Sequence, residues 1–236
     1  MGSKLEKVLI TGANRGLGLA LSKEFLKKGF SVLASCRDKS KADELVRLSE
    51  ENENLSIVEL DVRDVALSGK LPSDLNEIEK LDLIVHNAGI HLEGSNGLNL
   101  ISLSAMEETF MTNAFAPLFL TKALLPKLQE SNHPKVCVIS SQLGSQKVNQ
   151  DHPEFISYHY CASKAALNSL FLTFSGEFPE VTTLLFHPGW VKTDMGGSNA
   201  RLEASESASG LVKIMSEASL KDSGTFIEHN GNLMPW

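Results

Sequence analysis

Short apolar runs and helical stretches alternate from one end of the chain to the other, and this alternation restricts the fold more than any single motif. Strands are expected near 6–11, 30–36, 55–60, 82–86, 135–140, 182–187 and 224–228. Helices are expected near 17–28, 39–50, 102–129, 160–177 and 203–217, with a weak one around 73–79. Val8-Leu9-Ile10 and Val136-Cys137-Val138-Ile139 carry apolar residues on both faces, as strands buried between two helical layers do. Parallel strands joined by right-handed helical crossovers give a doubly wound α/β sheet, with ligands at the carboxyl edge of the strands. The less regular stretches 90–101, 142–157 and 194–202 follow strands 4 to 6 and overhang that edge. No internal repeat or long linker divides the 236 residues, which read as one domain.

The first strand runs into Thr11-Gly12-Ala13-Asn14-Arg15-Gly16-Leu17-Gly18, and helical periodicity follows from Leu19 to Lys28. Strand, glycine-rich turn and helix is the context in which such a motif binds a dinucleotide. Gly12 permits the sharp turn, Gly16 lets the backbone approach a pyrophosphate, and Gly18 allows close helix packing. The pyrophosphate is expected among the unpaired N–H groups at the helix N-terminus. Farther along, Tyr160 and Lys164 stand one helical turn apart on the same face. A neighbouring ammonium favours phenolate and would bring the phenol pKa, ordinarily ~10, toward the working range. On its own the pair also fits a solvated helix face; the dinucleotide motif upstream favours chemistry. The other tyrosine, Tyr158, has Ala162 at the same spacing.

The glycine turn from Thr11 to Gly18, Asn87-Ala88-Gly89, Asn113, Ser141 with Gly144, Tyr160 with Lys164, and Pro188-Gly189 stand in the order of the short-chain dehydrogenase/reductase family. The chain resembles that family nearly end to end. His187 to Gly197 and the ending Asn230-Gly231 to Pro235-Trp236 look like the branch of sniffer-type carbonyl reductases and bacterial C-factor proteins. The resemblance implies a single-domain Rossmann fold, seven parallel strands in the order 3-2-1-4-5-6-7, helices on both faces. The cofactor-binding half would span about 1–130 and the catalytic and substrate-binding half about 131–236. It also implies a catalytic set of Asn113, Ser141, Tyr160 and Lys164. The implied cofactor contacts are Gly12, Asn14, Arg15, Gly16, Leu17, Gly18, Arg37, Asp61, Val62, Asn87, Ala88 and Gly89. Pro188, Gly189, Val191 and Thr193 complete them, together with Tyr160 and Lys164.

In the family's mechanism Ser141 donates to the substrate carbonyl and Tyr160 delivers the proton. Lys164 binds the nicotinamide ribose, Asn113 holds a water behind Lys164, and Thr193 meets the carboxamide. Ser140 would be structural. Nineteen residues lead from Ser141 to Tyr160, longer than the family's common spacing, which enlarges the loop holding Asp151, His152 and Pro153.

Where NAD enzymes carry an acid at the end of strand 2, this chain has Cys36, followed by Arg37. A guanidinium pairs with a 2′-phosphate, and Arg15 could approach the same phosphate from the glycine turn, so NADP(H) is the expected cofactor. Asp38 is placed to compete for Arg37. Asp61 fits an adenine contact and a helix cap about equally.

The expected reaction is NADPH-dependent reduction of a small apolar carbonyl compound: an aldehyde, ketone or quinone. Leu143, Phe155, Ile156, Trp190 and Met195 fall on pocket segments or in the core, with packing favoured for Trp190. A net charge of −7 and the lack of a basic run argue against nucleic acid. No apolar run reaches the ~20 residues of a membrane helix. The first strand leaves no room for a signal peptide, and Glu6 takes the Ser/Thr place of a myristoylation motif. Cys36, Cys137 and Cys161 lack metal-ligand spacing and read as reduced thiols in a cytoplasmic protein. His133, His152 and His159 match no zinc pattern and read as loop decoration, so no metal is expected. A homodimer would use the fourth and fifth helices, unless the long loop before Tyr160 blocks that face. Two other readings are a dinucleotide-binding regulator or signal with little turnover, and an NAD-linked alcohol dehydrogenase.

Overall fold

The structure, a computed structural model, describes residues 5–92, 97–154 and 157–236. Its first half contains β1 (Lys7–Ile10), α1 (Gly16–Lys27), β2 (Ser31–Cys36), α2 (Asp43–Glu51), β3 (Leu55–Glu59), α3 (Val62–Ser68), α4 (Ser73–Asn76) and β4 (Leu83–His86). The second contains α5 (Leu103–Phe110), α6 (Ala116–Gln129), β5 (Lys135–Ile139), α7 (Gln146–Asp151), α8 (Tyr158–Glu177), β6 (Thr182–His187), α9 (Ala204–Glu217) and β7 (Thr225–Glu228).

The seven strands form one sheet in the order β3-β2-β1-β4-β5-β6-β7, and every neighbouring pair is parallel. This is the doubly wound Rossmann topology that the sequence led one to expect. Strand order reverses at β1, between β2 and β4, and the chain diverges there to open a crevice.

Burial explains the continuous apolar strands. Along β1, Val8 and Ile10 face a layer containing Leu21 and Phe25 of α1 and Leu211 and Met215 of α9. Leu9 faces the opposite layer, with Leu120 and Leu124 of α6 and Leu167 and Phe171 of α8. Each such side chain contributes about 1.5–3 kcal/mol by leaving water.

Local capping, not apolar periodicity, accounts for the elements that differ from expectation. The helix expected near 39–50 is a 3₁₀ turn, Lys39–Lys41, followed by α2; Asp38 caps the turn by accepting from Ser40 N at 3.0 Å. Helix α3 was not expected, and Asp61 starts it by accepting from Arg63 N at 3.0 Å. The irregular stretch 142–157 holds a 3₁₀ turn, Gln142–Gly144, and α7, whose first turn is capped by Ser145 Oγ accepting from Val148 N at 3.0 Å. The single helix expected over 102–129 is interrupted by a π-helical segment, Met111–Phe115, between α5 and α6. Such bulges recur at functional sites.

Beyond β7 the chain folds back on the sheet edge. Glu228 N donates to Asn232 O and Met234 N to Phe226 O, each at 2.8 Å. This covers an edge strand that would otherwise be open to pairing. The Trp236 ring packs on Phe226 at 5.6 Å, and its carbonyl accepts from Lys147 N at 2.9 Å. The terminus is thereby tied to α7. Among the described residues, no helix is long and apolar enough to cross a membrane.

Candidate active site

A groove of about 900 Å³ opens at the carboxyl ends of the central strands. All the residues assigned to the site from sequence line it except Asn113, which stands behind its wall.

At the nucleotide end, the turn after β1 is stitched to the loop after β4. Thr11 Oγ1 accepts from Asn87 N and Ala88 N, and Asn87 Nδ2 donates to the carbonyls of Thr11 and Gly12, all at 3.0 Å. Gly12 holds φ at +65°, a region that disfavours side chains. A Cβ on Gly18 would lie 2.2 Å from Gly12 O, so only glycine lets α1 start this close to the turn. Arg15, the N-cap of α1, makes no side-chain capping bond, and no acid occupies the first helical turn. An uncapped helix start facing a groove, beside a turn too close for side chains, fits a dinucleotide's pyrophosphate.

Farther out, Arg37 lines the groove beside Asp61. Asp38 does not compete for Arg37 as anticipated. Its carboxylate is occupied by Ser40 and by Lys41 at 2.9 Å, and these partners hold its pKa down to about 2. Asp61 satisfies the capping reading while also lining the groove; its bond to Arg63 Nη2 at 2.8 Å holds its pKa below the ordinary value. The guanidinium of Arg15 pairs with the Asp194 carboxylate of the loop after β6, with both side chains exposed.

At the other end, Ser141 closes β5 and caps the following 3₁₀ turn, accepting from Leu143 N at 3.1 Å. Ser140 is structural: its hydroxyl donates to Asn168 Oδ1 at 2.6 Å, inside the core. Asn168 in turn donates to Gly144 O at 3.3 Å, and a Cβ on Gly144 would sit 3.0 Å from Lys164 backbone, so the turn presses directly on α8. That contact sets Ser141 near Tyr160, close enough to lower the phenol's pKa. Lys164 Nζ lies 5.7 Å from the centre of the phenol ring and donates to Ile139 O at 2.9 Å.

The expected electrostatics are reversed. Burial pushes the Tyr160 pKa up to about 12, against a lowering effect of nearby Ser141, and burial brings Lys164 down to about 8. The ammonium is one turn away, as its spacing requires, but desolvation outweighs it and the phenol keeps its proton at neutral pH.

Asn113 sits in the π segment. Its Oδ1 accepts from Ile90 N at 2.8 Å, while Nδ2 donates to Ile90 O at 2.9 Å and to Ser163 Oγ at 3.0 Å. One buried amide therefore joins the loop after β4 to the residue preceding Lys164. Thr193 Oγ1 accepts from Gly196 N at 3.1 Å, which shapes the loop over the groove.

The residues assigned to pocket segments or the core separate in the structure, and His91 and His187 join the groove without any signal in the sequence. Trp190 is not core packing: 53% of it is exposed, and its indole N–H donates to Gly196 O at 2.8 Å at the groove wall. Met195 is also exposed, with Sδ 3.9 Å from Tyr160 Oη, and Leu143 lines the groove. Phe155 and Ile156 lie outside the described residues. His187 Nδ1 accepts from Gln142 N at 3.2 Å, bracing the turn next to Ser141; burial holds its pKa near 4, so the imidazole stays neutral. Of the three histidines read as loop decoration, His159 is instead buried on α8, 6.3 Å from His91. His91 itself stacks on Tyr160.

The family model of short chain dehydrogenases matches residues 6–204. Among relatives, C-signal of Myxococcus xanthus is 36% identical over 66% of this chain and 93% of its own length. The short-chain dehydrogenase RED3 of Pyricularia oryzae is 30% identical, over 99% of this chain and all of its own. Among solved structures, the NADPH-bound carbonyl reductase from chicken fatty liver superposes with a TM-score of 0.86 at 35% identity, over 99% of this chain and 100% of that one. The carbonyl reductase Sniffer of D. melanogaster gives 0.87 at 31% identity, over 98% of this chain and 100% of that one. The fold, the glycine turn and these likenesses agree: the chain belongs to the short-chain dehydrogenase family, an oxidoreductase built to hold a nicotinamide dinucleotide.

Proposed function

We propose that this protein is an NADPH-dependent carbonyl reductase with Tyr160 as the proton donor. The observation that carries the reading is that Ser141, Tyr160 and Lys164 converge on one groove at the carboxyl edge of the sheet. NADP(H) supplies the hydride. The residues fitted to hold it are the Gly12–Gly18 turn, Arg37, Asp61, Val62, the Asn87–Gly89 loop and the Pro188–Thr193 segment, with Lys164 at the nicotinamide end. The NADPH-bound state of the chicken reductase and the Arg37 side chain at the groove mouth support NADP over NAD.

A carbonyl oxygen entering beside Tyr160 meets two hydroxyl donors. Ser141 stabilises the negative charge that grows on it, and Tyr160 gives up its proton to that oxygen. Asn113 fixes the loop that precedes His91, and through Ser163 it fixes the turn of α8 from which Lys164 projects. Leu143, Trp190 and Met195 present an apolar wall suited to a small hydrophobic aldehyde, ketone or quinone. The free cysteines, with Cys36 and Cys137 buried, are in keeping with a cytoplasmic enzyme. Phe115 and Phe119, exposed where the π segment runs into α6, offer an apolar face for a homodimer.

The test is Tyr160→Phe. It should bind NADPH with unchanged affinity and lose at least about 100-fold in kcat on a carbonyl panel, the scale of general-acid catalysis. Full turnover by this variant, or clearly tighter binding of NADH than NADPH by the wild type, would sink the proposal. The likeness to C-signal favours a second reading as a signalling protein; wild-type protein that binds NADPH yet reduces nothing on the panel would support it.

A further inference from the structure

His91 follows the Asn87–Gly89 loop and takes no part in the reaction scheme above. Its imidazole lies against the Tyr160 phenol, ring centroids 4.5 Å apart and planes inclined by 31°. Its Nε2 is 3.0 Å from Ser157 Oγ, in the residue that immediately precedes α8. At its root, the preceding residue Ile90 is clamped through both backbone groups by Asn113. The ring is thus held from the backbone side and from its far edge, and what it presses on is the phenol.

We propose that His91 is a positioning residue for Tyr160: its imidazole, anchored to Ser157, packs on the phenol ring, keeps water from it and holds the hydroxyl at Ser141. The inference rests on Tyr160 as the proton donor and adds what keeps that donor in place. Besides Tyr160, the titratable groups around the imidazole are His159, at 6.3 Å between rings, Lys164 across the phenol, and Cys161 next to it in sequence. Partial desolvation on the side facing the phenol, and then His159, lower the pKa of His91, whose other side is exposed, so at neutral pH it serves as an uncharged aromatic surface. A packed ring pair of this kind is enough to favour one ring orientation several-fold.

The chain has two tyrosines, so a Tyr158→Phe background leaves the Tyr160 phenol as the one to titrate by its phenolate absorbance, with no turnover needed. In that background His91→Ala should move the phenol from about 12 toward 10, because burial is what raises it. It should also lower kcat about 10-fold, as for a donor slightly out of line, while NADPH affinity and KM change little. His91→Phe, which keeps a ring, should retain the raised pKa and recover most of kcat. Combined with Tyr160→Phe, His91→Ala should cost nothing further. If His91→Ala does not fold, Ser157→Ala should act in the same direction with smaller size.

An unchanged phenol pKa, an unchanged kcat, or an equal loss of kcat in the Tyr160→Phe background overturns the positioning role. A wild type that reduces no carbonyl refutes the proposed function instead, and the phenol titration still decides what His91 does to Tyr160.

Discussion

Asn113→Ala should destabilise the protein before it affects any chemistry. The amide is 1% exposed and makes three hydrogen bonds, two of them to the N–H and C=O of Ile90 and one to Ser163. Alanine removes all three together. Groups left unpaired in a buried site cost about 1–3 kcal/mol each. Ile90 borders the groove and can recover some water, so the lower end applies and the total is about 3 kcal/mol. For a domain of this size each kcal/mol moves Tm by about 2–4 °C, so the expected fall is roughly 6–12 °C.

Asn113→Asp adds a sign. The carboxylate can still accept from Ile90 N but turns an oxygen toward Ile90 O, which raises its pKa above the unfolded value of ~3.9. A raised carboxyl binds protons in the folded state first, so this variant should gain stability as pH falls from 7 toward 4. Calorimetry without cofactor measures both. If Asn113→Ala melts within about 2 °C of the wild type but loses turnover, the amide works mainly through an ordered water and not through these bonds.

Two further outcomes follow from the groove. Lys164→Met should abolish reduction yet stabilise the fold at pH 7: a fall from 10.5 to about 8 corresponds to about 3 kcal/mol, offset by about 1 for the lost bond to Ile139 O. Because the folded pKa is depressed, wild-type stability should rise between pH 8 and 10.5 as the unfolded chain alone keeps the proton, and the variant's advantage, read by urea unfolding, should shrink there; a constant difference across that range counts against a buried ammonium. Arg37→Ala should weaken NADPH about 10-fold or more, the worth of a charge-assisted contact, and leave NADH nearly unaffected; fluorescence titration showing equal loss for both removes the 2′-phosphate role.

The sheet was legible because strands buried on both faces must be apolar at successive positions, as Val8-Leu9-Ile10 is. The order of the strands came from resemblance, since periodicity carries no order. Helices α3 and α7 were illegible for the opposite reason. They are seven and six residues long, too short to show a period, and depend on the caps Asp61 and Ser145. The π segment is decided by Asn113 docking on Ile90, a contact far apart in sequence. The site's residues were legible in type and spacing, while their states were not. Tyr160 and Lys164 stand adjacent as predicted, but four-residue spacing says nothing of burial, and burial reversed the direction expected for the phenol. Trp190 failed similarly: a large aromatic beside a buried strand reads as core until the loop turns it outward.

The raised phenol pKa bears on what the proposed proton transfer requires. A phenol with its pKa near 12 carries its proton through the whole neutral range. A free phenol at ~10 is already protonated there, so the raised pKa adds little to the supply of acid and makes the phenolate left behind costlier. Lys164 alone does not rescue it, since the same dry surroundings weaken the ammonium's own hold on its proton. Phenolate and ammonium are each disfavoured singly here, so a phenolate left after proton delivery is stabilised only with its neighbour charged beside it. In the proposed reaction, therefore, Tyr160 needs Lys164 most at the end of the transfer.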